Sequence, residues 1–181
     1  MVSIHWSIAC VAVLGTGLSA SAGVVSGSQT FYNMSASSKT YTYYQYAPLA
    51  GGSSGDVMSG SVTTTLTDMN GNGASVSANT AGDAIYTATL NDMAVQTLWD
   101  SQFRFAVGQF LSGSTAPASF TGTPKPVNAP ADANMGVVLR FTLSAGDAVS
   151  FAYTFNVVPG PSALALLACA GCVTNGRRRK S

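Results

Sequence analysis

Apolar and polar residues alternate along two segments in the last third of the chain. The apolar positions are Val137, Leu139, Phe141 and Leu143 in the first segment, and Val149, Phe151, Tyr153, Phe155 and Val157 in the second. A period of two residues is typical of a strand with one buried face. The pattern therefore predicts strands over 136–143 and 148–157. The Ser-Ala-Gly-Asp segment at 144–147 predicts a hairpin turn between them.

Weaker alternation predicts further strands upstream. Three rows of alternate residues define candidate strand faces: Val62, Thr64 and Leu66; Tyr86, Ala88 and Leu90; Phe103, Phe105 and Val107. Residues 29–34 and 40–47 are rich in Tyr and Thr, which are frequent in strands. A short helix is an alternative for 91–101. Residues 112–134 contain four prolines and predict a long irregular loop.

Many short strands separated by polar turns predict an all-β fold. We expect a single domain over residues 23–157, with the architecture of a β-sandwich or a jelly roll. Its length is close to the usual size of one domain. Two helices are predicted to flank it, a signal helix before residue 23 and a short membrane helix after residue 157.

The N-terminal segment, residues 1–22, has the composition of a secretory signal peptide. An apolar core covers residues 8–18, and Ala20 and Ala22 satisfy the small-x-small cleavage rule. Cleavage would make Gly23 the new first residue. This segment predicts that the domain is exported.

The C-terminal tail, residues 158–181, divides into three parts. A short motif (Val158, Pro159, Gly160, Pro161 and Ser162) is followed by an apolar segment over 163–176 and a basic end (Arg177, Arg178, Arg179 and Lys180). The most apolar part, 163–173, would form about 16 Å of helix, against about 30 Å for a bilayer core. We therefore expect transient membrane contact, with the basic end cytoplasmic. A plain tail anchor is the alternative.

This tripartite tail resembles the PEP-CTERM sorting signal, a region also known as the ice-binding protein C-terminal domain. The family motif has Glu between its prolines, where this chain has Gly160. The resemblance implies the export machinery and an exosortase-like processing enzyme as partners. It also implies an inner-membrane intermediate, followed by the cell envelope, cell surface or extracellular matrix as the destination.

Composition between the two ends excludes several kinds of chemistry. Residues 23–158 contain no His, Glu or Cys, so neither a Ser-His-Asp nor a Cys-His nucleophile is available. A typical zinc site is excluded for the same reason. Four basic residues and seven Asp give this part a net charge of −3, which predicts no nucleic-acid partner. We expect neither an enzyme nor a cofactor.

Residues 68–73 resemble the start of a calcium-binding loop. Asp68, Asn70 and Asn72 place oxygen ligands at alternate positions, and Gly73 stands sixth. The twelfth position is Asn79, where such a loop needs Glu. The alternative, which we prefer, is a hairpin in which Asn-Gly pairs supply positive φ. We therefore predict no metal site.

A tyrosine cluster is the candidate for carbohydrate contact. It consists of Tyr41, Tyr43, Tyr44 and Tyr46. Neighbours in a strand face opposite sides, so only part of the cluster can be exposed. Core packing is the alternative. The lead hypothesis is an exported structural or interaction protein of the cell envelope or extracellular matrix. The alternative is a cell-surface module that binds carbohydrate, with exopolysaccharide as the partner.

Overall fold

The computed structural model describes residues 23–49, 55–80, 83–100, 102–126 and 133–158. The predicted signal peptide with Ala20 and Ala22, and the tail from Pro159 to Lys180, lie outside the described residues, as do both flanking helices. Among the residues that are described, no helix has the length and apolar character that a membrane crossing requires.

The described residues form eleven strands. They are β1 (Gly23–Tyr32), β2 (Lys39–Leu49), β3 (Val57–Asp68), β4 (Ala74–Ser77), β5 (Tyr86–Leu90), β6 (Met93–Leu98), β7 (Arg104–Val107), β8 (Ser112–Ser114), β9 (Ala118–Pro124), β10 (Ala133–Leu143) and β11 (Asp147–Val158). The strands belong to two antiparallel sheets, which we call sheet A and sheet B.

Sheet A is organised around its two longest strands, β3 and β11. Strand β11 pairs with β3 along its whole length on one side and with β1 on the other. The free side of β3 is shared by two short strands, β8 and β9. The register places Gly23 opposite Val157, so the first and last described residues lie at the same end of this sheet.

Sheet B is organised around β10. Strand β2 pairs with β10 along its whole length, from Lys39 opposite Leu143 to Leu49 opposite Ala133. On the other side, β10 pairs first with β5 and then with β4. Strands β6 and β7 extend the sheet beyond β5 and β4, respectively.

The two sheets pack on one hydrophobic core. Both strongly alternating segments supply their predicted apolar faces to it, with Phe141, Phe151 and Phe155 among its largest fully buried side chains. The faces predicted upstream also point inward: Val62 and Leu66 in β3, and Tyr86, Ala88 and Leu90 in β5. The prediction of an all-β fold is confirmed, with its two sheets packed together.

The predicted hairpin over 144–147 is wrong. Strands β10 and β11 belong to different sheets, and residues 144–146 cross from one sheet to the other. The side chain of Asn33 hydrogen-bonds this crossing from the protein interior. It is buried, and its side-chain amide donates to the carbonyls of Leu143 (3.0 Å) and Ser144 (2.8 Å). Strand β10 pairs along its whole length with β2, and β11 pairs along its whole length with β3. A short polar turn is compatible both with a hairpin and with a crossing between sheets.

Two other predictions are corrected. The helix considered over 91–101 is wrong, because β5 and β6 form a hairpin there. Asn91 and Asp92 both have positive φ (48° and 61°), as a two-residue type I′ turn requires. The irregular loop predicted over 112–134 instead contains the edge strands β8 and β9 and the start of β10.

Candidate functional site

The tyrosine cluster in β2 is divided between the two faces of sheet B, as alternation predicts. Tyr41 and Tyr43 are half-buried and pack against the core, with ring centroids 5.7 and 5.8 Å from Phe31. Tyr44 and Tyr46 point outward, with 50% and 45% of their surface exposed. Only this second pair is available to a ligand.

The exposed rings of Tyr44 and Tyr46 are neighbours with nearly parallel planes. Their planes differ by only 13°, and their centroids are 6.2 Å apart. We call this pair the tyrosine platform.

Gly136 in β10 allows the ring of Tyr46 to pack close to the sheet. Gly136 pairs with Tyr46 on one side and with Thr89 on the other. A Cβ atom at Gly136 would stand 2.6 Å from Cε1 of Tyr46 and 2.8 Å from Oγ1 of Thr89. The ring of Tyr46 therefore occupies the space that any other residue at position 136 would fill.

A groove of about 540 Å³ runs along the outer face of sheet B beside the platform. Its size lies in the range of small-molecule sites in proteins. The outward side chains of β10 form its floor, and its rims come from β2 and from β5 with β6. Its lining is Tyr44, Tyr46, Asp83, Ala84, Thr87, Thr89, Asp92, Ala94, Thr97, Val138 and Arg140.

Charged groups stand at both ends of this groove. Tyr46 and Asp92 lie together at one end. Partial burial, hydrogen bonding to Asp92 and the negative charge of Asp92 together raise the pKa of Tyr46, so its hydroxyl stays protonated. At the other end, the exposed guanidinium of Arg140 has no hydrogen-bond or ion-pair partner within the described ranges.

A buried hydroxyl lies beneath the ring of Tyr46. Thr89 is only 4% exposed, and its Oγ1 has no hydrogen-bond partner among the residues described. A buried hydroxyl without a partner costs about 1–3 kcal/mol in proteins. It is therefore an unused polar group in the wall of the groove.

The combination of aromatic rings, carboxylates and a guanidinium in this groove is suited to binding a sugar. A flat aromatic face packs against the C–H face of a sugar ring, while carboxylate and guanidinium groups form charge-assisted hydrogen bonds with ring hydroxyls. A groove that combines apolar rings with a few polar groups also matches the general composition of ligand sites.

Residues 68–73 form a crossing between the sheets rather than a hairpin, because β3 and β4 lie in different sheets. The positive φ expected of its glycines is present, at Gly71 (81°) and Gly73 (85°). Asn70 donates from Nδ2 to the carbonyl of Ala145 (2.8 Å), which ties this crossing to the one at 144–146. Asn72 is exposed, and its backbone N–H donates to Oδ1 of Asn70 (3.1 Å).

The carboxylate of Asp68 accepts hydrogen bonds from backbone N–H groups. It accepts N–H groups from Asn70, Gly71, Gly73 and Phe110 at 2.6–3.2 Å. Burial alone would raise the pKa of Asp68, but the four donors outweigh burial and lower it. No group of three or more potential metal-binding side chains occurs in the part of the chain that is described. Asp68 thus organises a turn.

Asp147 lies opposite Asp68 in the β11–β3 register and is fully buried. Burial raises the pKa of Asp147, and the hydrogen bond and charge of Asp68 raise it further. Hydrogen bonds from the Ser144 hydroxyl and the Met69 amide oppose that rise. The two carboxyl groups form a coupled pair between the crossings.

The remaining predicted site residues lie far from the groove or outside the description. Gly23 begins β1, and Val158 ends β11 at the same end of sheet A. The other residues of the sorting motif, the cleavage signal and the basic end are not described. The outward Thr65 and Thr67 of β3 pair through their hydroxyls with Ser114 and Ser112 of β8.

Sequence reasoning found the tyrosines but missed the rest of the groove. Thr89, Gly136 and Arg140 come from strands that are distant in sequence, and the β10 register brings them to Tyr44 and Tyr46. The one available signal was Gly136, a glycine at the start of a predicted strand. No protein-family model, curated protein or solved structure matches the chain.

Proposed function

We propose that this is an exported cell-surface protein whose β domain binds carbohydrate through the groove on sheet B. The observation that carries the proposal is the tyrosine platform. Two nearly parallel, half-exposed rings, of which that of Tyr46 packs over Gly136, line a groove that also contains two carboxylates. The same groove contains the Arg140 guanidinium, which has no partner among the described residues. Exposed aromatic patches of this kind tend to be functional.

A structural or interaction protein without a sugar ligand is the second candidate. The outer face of sheet A favours it, because its outward positions in β1, β3 and β11 carry mainly Ser and Thr and no charged residue. Cross-strand hydroxyl pairs, such as Thr30 with Ser150 (2.7 Å), occupy many of these side chains. A face of this kind suits contact with other surface components.

The export part of the proposal depends on the sequence of the two ends. Residues 1–22 would direct secretion, and residues 158–181 would act as a PEP-CTERM-like sorting signal read by an exosortase-like enzyme in the inner membrane. The mature domain would then reside in the envelope, on the surface or in the extracellular matrix. Its lack of His and Glu over 23–158 supports a role other than catalysis.

Affinity electrophoresis tests the carbohydrate proposal directly. The purified protein would be run through native gels containing hydroxyethylcellulose, galactomannan, alginate or polygalacturonate. We expect at least one polymer to retard it. Tyr44→Ala and Tyr46→Ala should each weaken retardation about tenfold or more, because truncating a central aromatic contact typically costs about 2 kcal/mol or more.

Tyr32→Ala is the matched control. Tyr32 is 56% exposed but belongs to β1 in sheet A, outside the groove. Its loss should leave retardation unchanged. If no polymer retards any of the four proteins relative to a polymer-free gel, carbohydrate binding is refuted and the second candidate remains.

A further inference from the structure

The groove continues beyond the tyrosine platform. A second cavity of about 240 Å³ is lined by Tyr46, Ala47, Pro48, Asp92 and Asn134, and so shares Tyr46 and Asp92 with the first. The strand register places Tyr46 and the Asn91–Asp92 turn on opposite sides of β10. The two cavities therefore adjoin at Tyr46 and Asp92 and together form one longer surface depression.

The two cavities follow one another along β10. Its outward residues follow in the order Asn134, Gly136, Val138 and Arg140, and each lies on the lining or beneath the platform. A strand segment of this length spans about 20 Å. That length exceeds the 6.2 Å between the two platform rings, so the groove offers contacts well beyond one sugar ring stacked on each tyrosine.

The charges along the groove select against acidic sugars. Asp83 and Asp92 face it, with Arg140 as the one cation in its lining, and the residues from 23 to 158 carry a net charge of −3. Charges within about 8 Å of each other are not fully screened at physiological ionic strength. A uronate polymer would therefore meet more repulsion than attraction.

Resting on the proposed function, we infer that the groove holds an internal stretch of a linear, uncharged polysaccharide. Successive rings stack on Tyr44 and Tyr46, and the chain continues on one side to Asn134 and on the other to Arg140. The side chains of Asn134 and Arg140 hydrogen-bond the outer rings, and Asp92 orients the ring above Tyr46.

Chain length is the test of this inference. Isothermal titration calorimetry would compare cello-oligosaccharides and manno-oligosaccharides, from monosaccharide to hexasaccharide, with the matching galacturonate and mannuronate series. We expect affinity in a neutral series to rise with each ring until the groove is filled. Reduction of the terminal aldehyde should have no effect, because no chain end is bound.

Two variants at the ends of the groove sharpen the test. Asn134→Ala and Arg140→Gln should each lower hexasaccharide affinity about three- to tenfold, the value of one lost hydrogen bond, and leave disaccharide affinity unchanged. Both side chains are exposed and have no side-chain hydrogen bond within the described ranges, so the fold should tolerate their loss. Tyr32→Ala again serves as the control.

The inference and the proposed function fail in different ways. Tyrosine-dependent binding that is equally tight for a monosaccharide and a hexasaccharide, or that prefers uronate oligomers, overturns the internal, uncharged chain while carbohydrate binding stands. Unchanged hexasaccharide affinity in both end variants does the same. Absence of binding to every polymer and oligomer refutes both.

Discussion

At the residue scale, Asp68 and Asp147 lie directly opposite each other in the β3–β11 register, and their pKa values are shifted in opposite directions. Both are buried, but Asp68 at the end of β3 accepts four backbone N–H groups, which lower its pKa, whereas burial raises the pKa of Asp147 at the start of β11 directly opposite. Both look like ordinary turn aspartates in the sequence. Their coupling depends on the pairing of two strands that are distant in sequence, and local pattern cannot reveal it.

We predict that Asp147→Asn stabilises the protein at neutral pH. The folded state holds the pKa of Asp147 above its unfolded value, so the native state binds more protons between these two values. Stability from this group therefore falls as pH rises through that window and stays low above it. Asn removes the buried charge at neutral pH and retains an acceptor for the Ser144 hydroxyl.

Thermal unfolding of wild type and Asp147→Asn from pH 3 to pH 8 checks this prediction. The variant should have the higher Tm at neutral pH, and its advantage should shrink as pH falls toward about 4, the unfolded pKa of Asp. Asp68 contributes the opposite pH dependence, and the difference between the two proteins reports Asp147 together with its interaction with Asp68. Asp100→Asn, at an exposed position, should lack this pH-dependent advantage. An advantage that is constant over pH would contradict the buried-charge explanation.

At the element scale, sequence predicted strands well and their partners poorly. Alternation over 136–143 and 148–157 identified two central strands and their buried faces, because a strand in one of two packed sheets buries every second side chain. It could not choose between a hairpin and a crossing, since both need only a short polar turn. The same ambiguity affected residues 68–73, where positive φ was correctly predicted but β3 and β4 lie in different sheets.

We predict that Gly146→Ala destabilises the protein more than Gly122→Ala does. Both glycines have positive φ (73° and 69°), so each alanine carries a backbone strain of about 1–2 kcal/mol. A Cβ at Gly146 would also meet the side chain of Asn70, with Cγ at 2.9 Å, whereas nothing lies within 4 Å of one at Gly122. The excess should be about 1 kcal/mol, comparable to the Asn70–Ala145 hydrogen bond that must shift.

Urea unfolding measures both free energies, and Gly122→Ala serves as the internal reference for backbone strain. Equal losses in the two variants would show that the link between the two crossings adds nothing to stability. That outcome would leave the crossing at 144–146 stabilised by the hydrogen bonds of Asn33 and by those between Ser144 and Ser75.

At the scale of the whole molecule, the groove was the least predictable feature. The tyrosines are visible in the sequence as a cluster, and alternation separates Tyr44 and Tyr46 from the core pair. The groove itself needs β10 to lie between β2 and β5, an arrangement set by pairing between strands that are far apart along the chain. The ring of Tyr46 packs over Gly136, which contributes through the absence of a side chain.

The fold also constrains how the two ends of the chain are proposed to be used. Gly23 pairs with Val157, so the two described residues that join the domain to residues 1–22 and to the segment from Pro159 lie at one end of sheet A. A domain held in the inner membrane by both segments would therefore be tethered at a single end. Release would require cleavage of both segments, and the folded domain would not need to rearrange.

We predict that neutralising the basic end blocks maturation. Replacing Arg177, Arg178, Arg179 and Lys180 with Gln removes the charges that would hold the tail in the cytoplasm. Mass spectrometry of the wild-type protein from its own cells should find Gly23 at the N-terminus and a C-terminus that lacks the basic end. The variant should retain the tail or fail to accumulate, whereas Lys39→Gln, which neutralises one charge in β2, should mature normally. A wild-type product that still ends in the basic residues would contradict the sorting proposal and favour a permanent tail anchor.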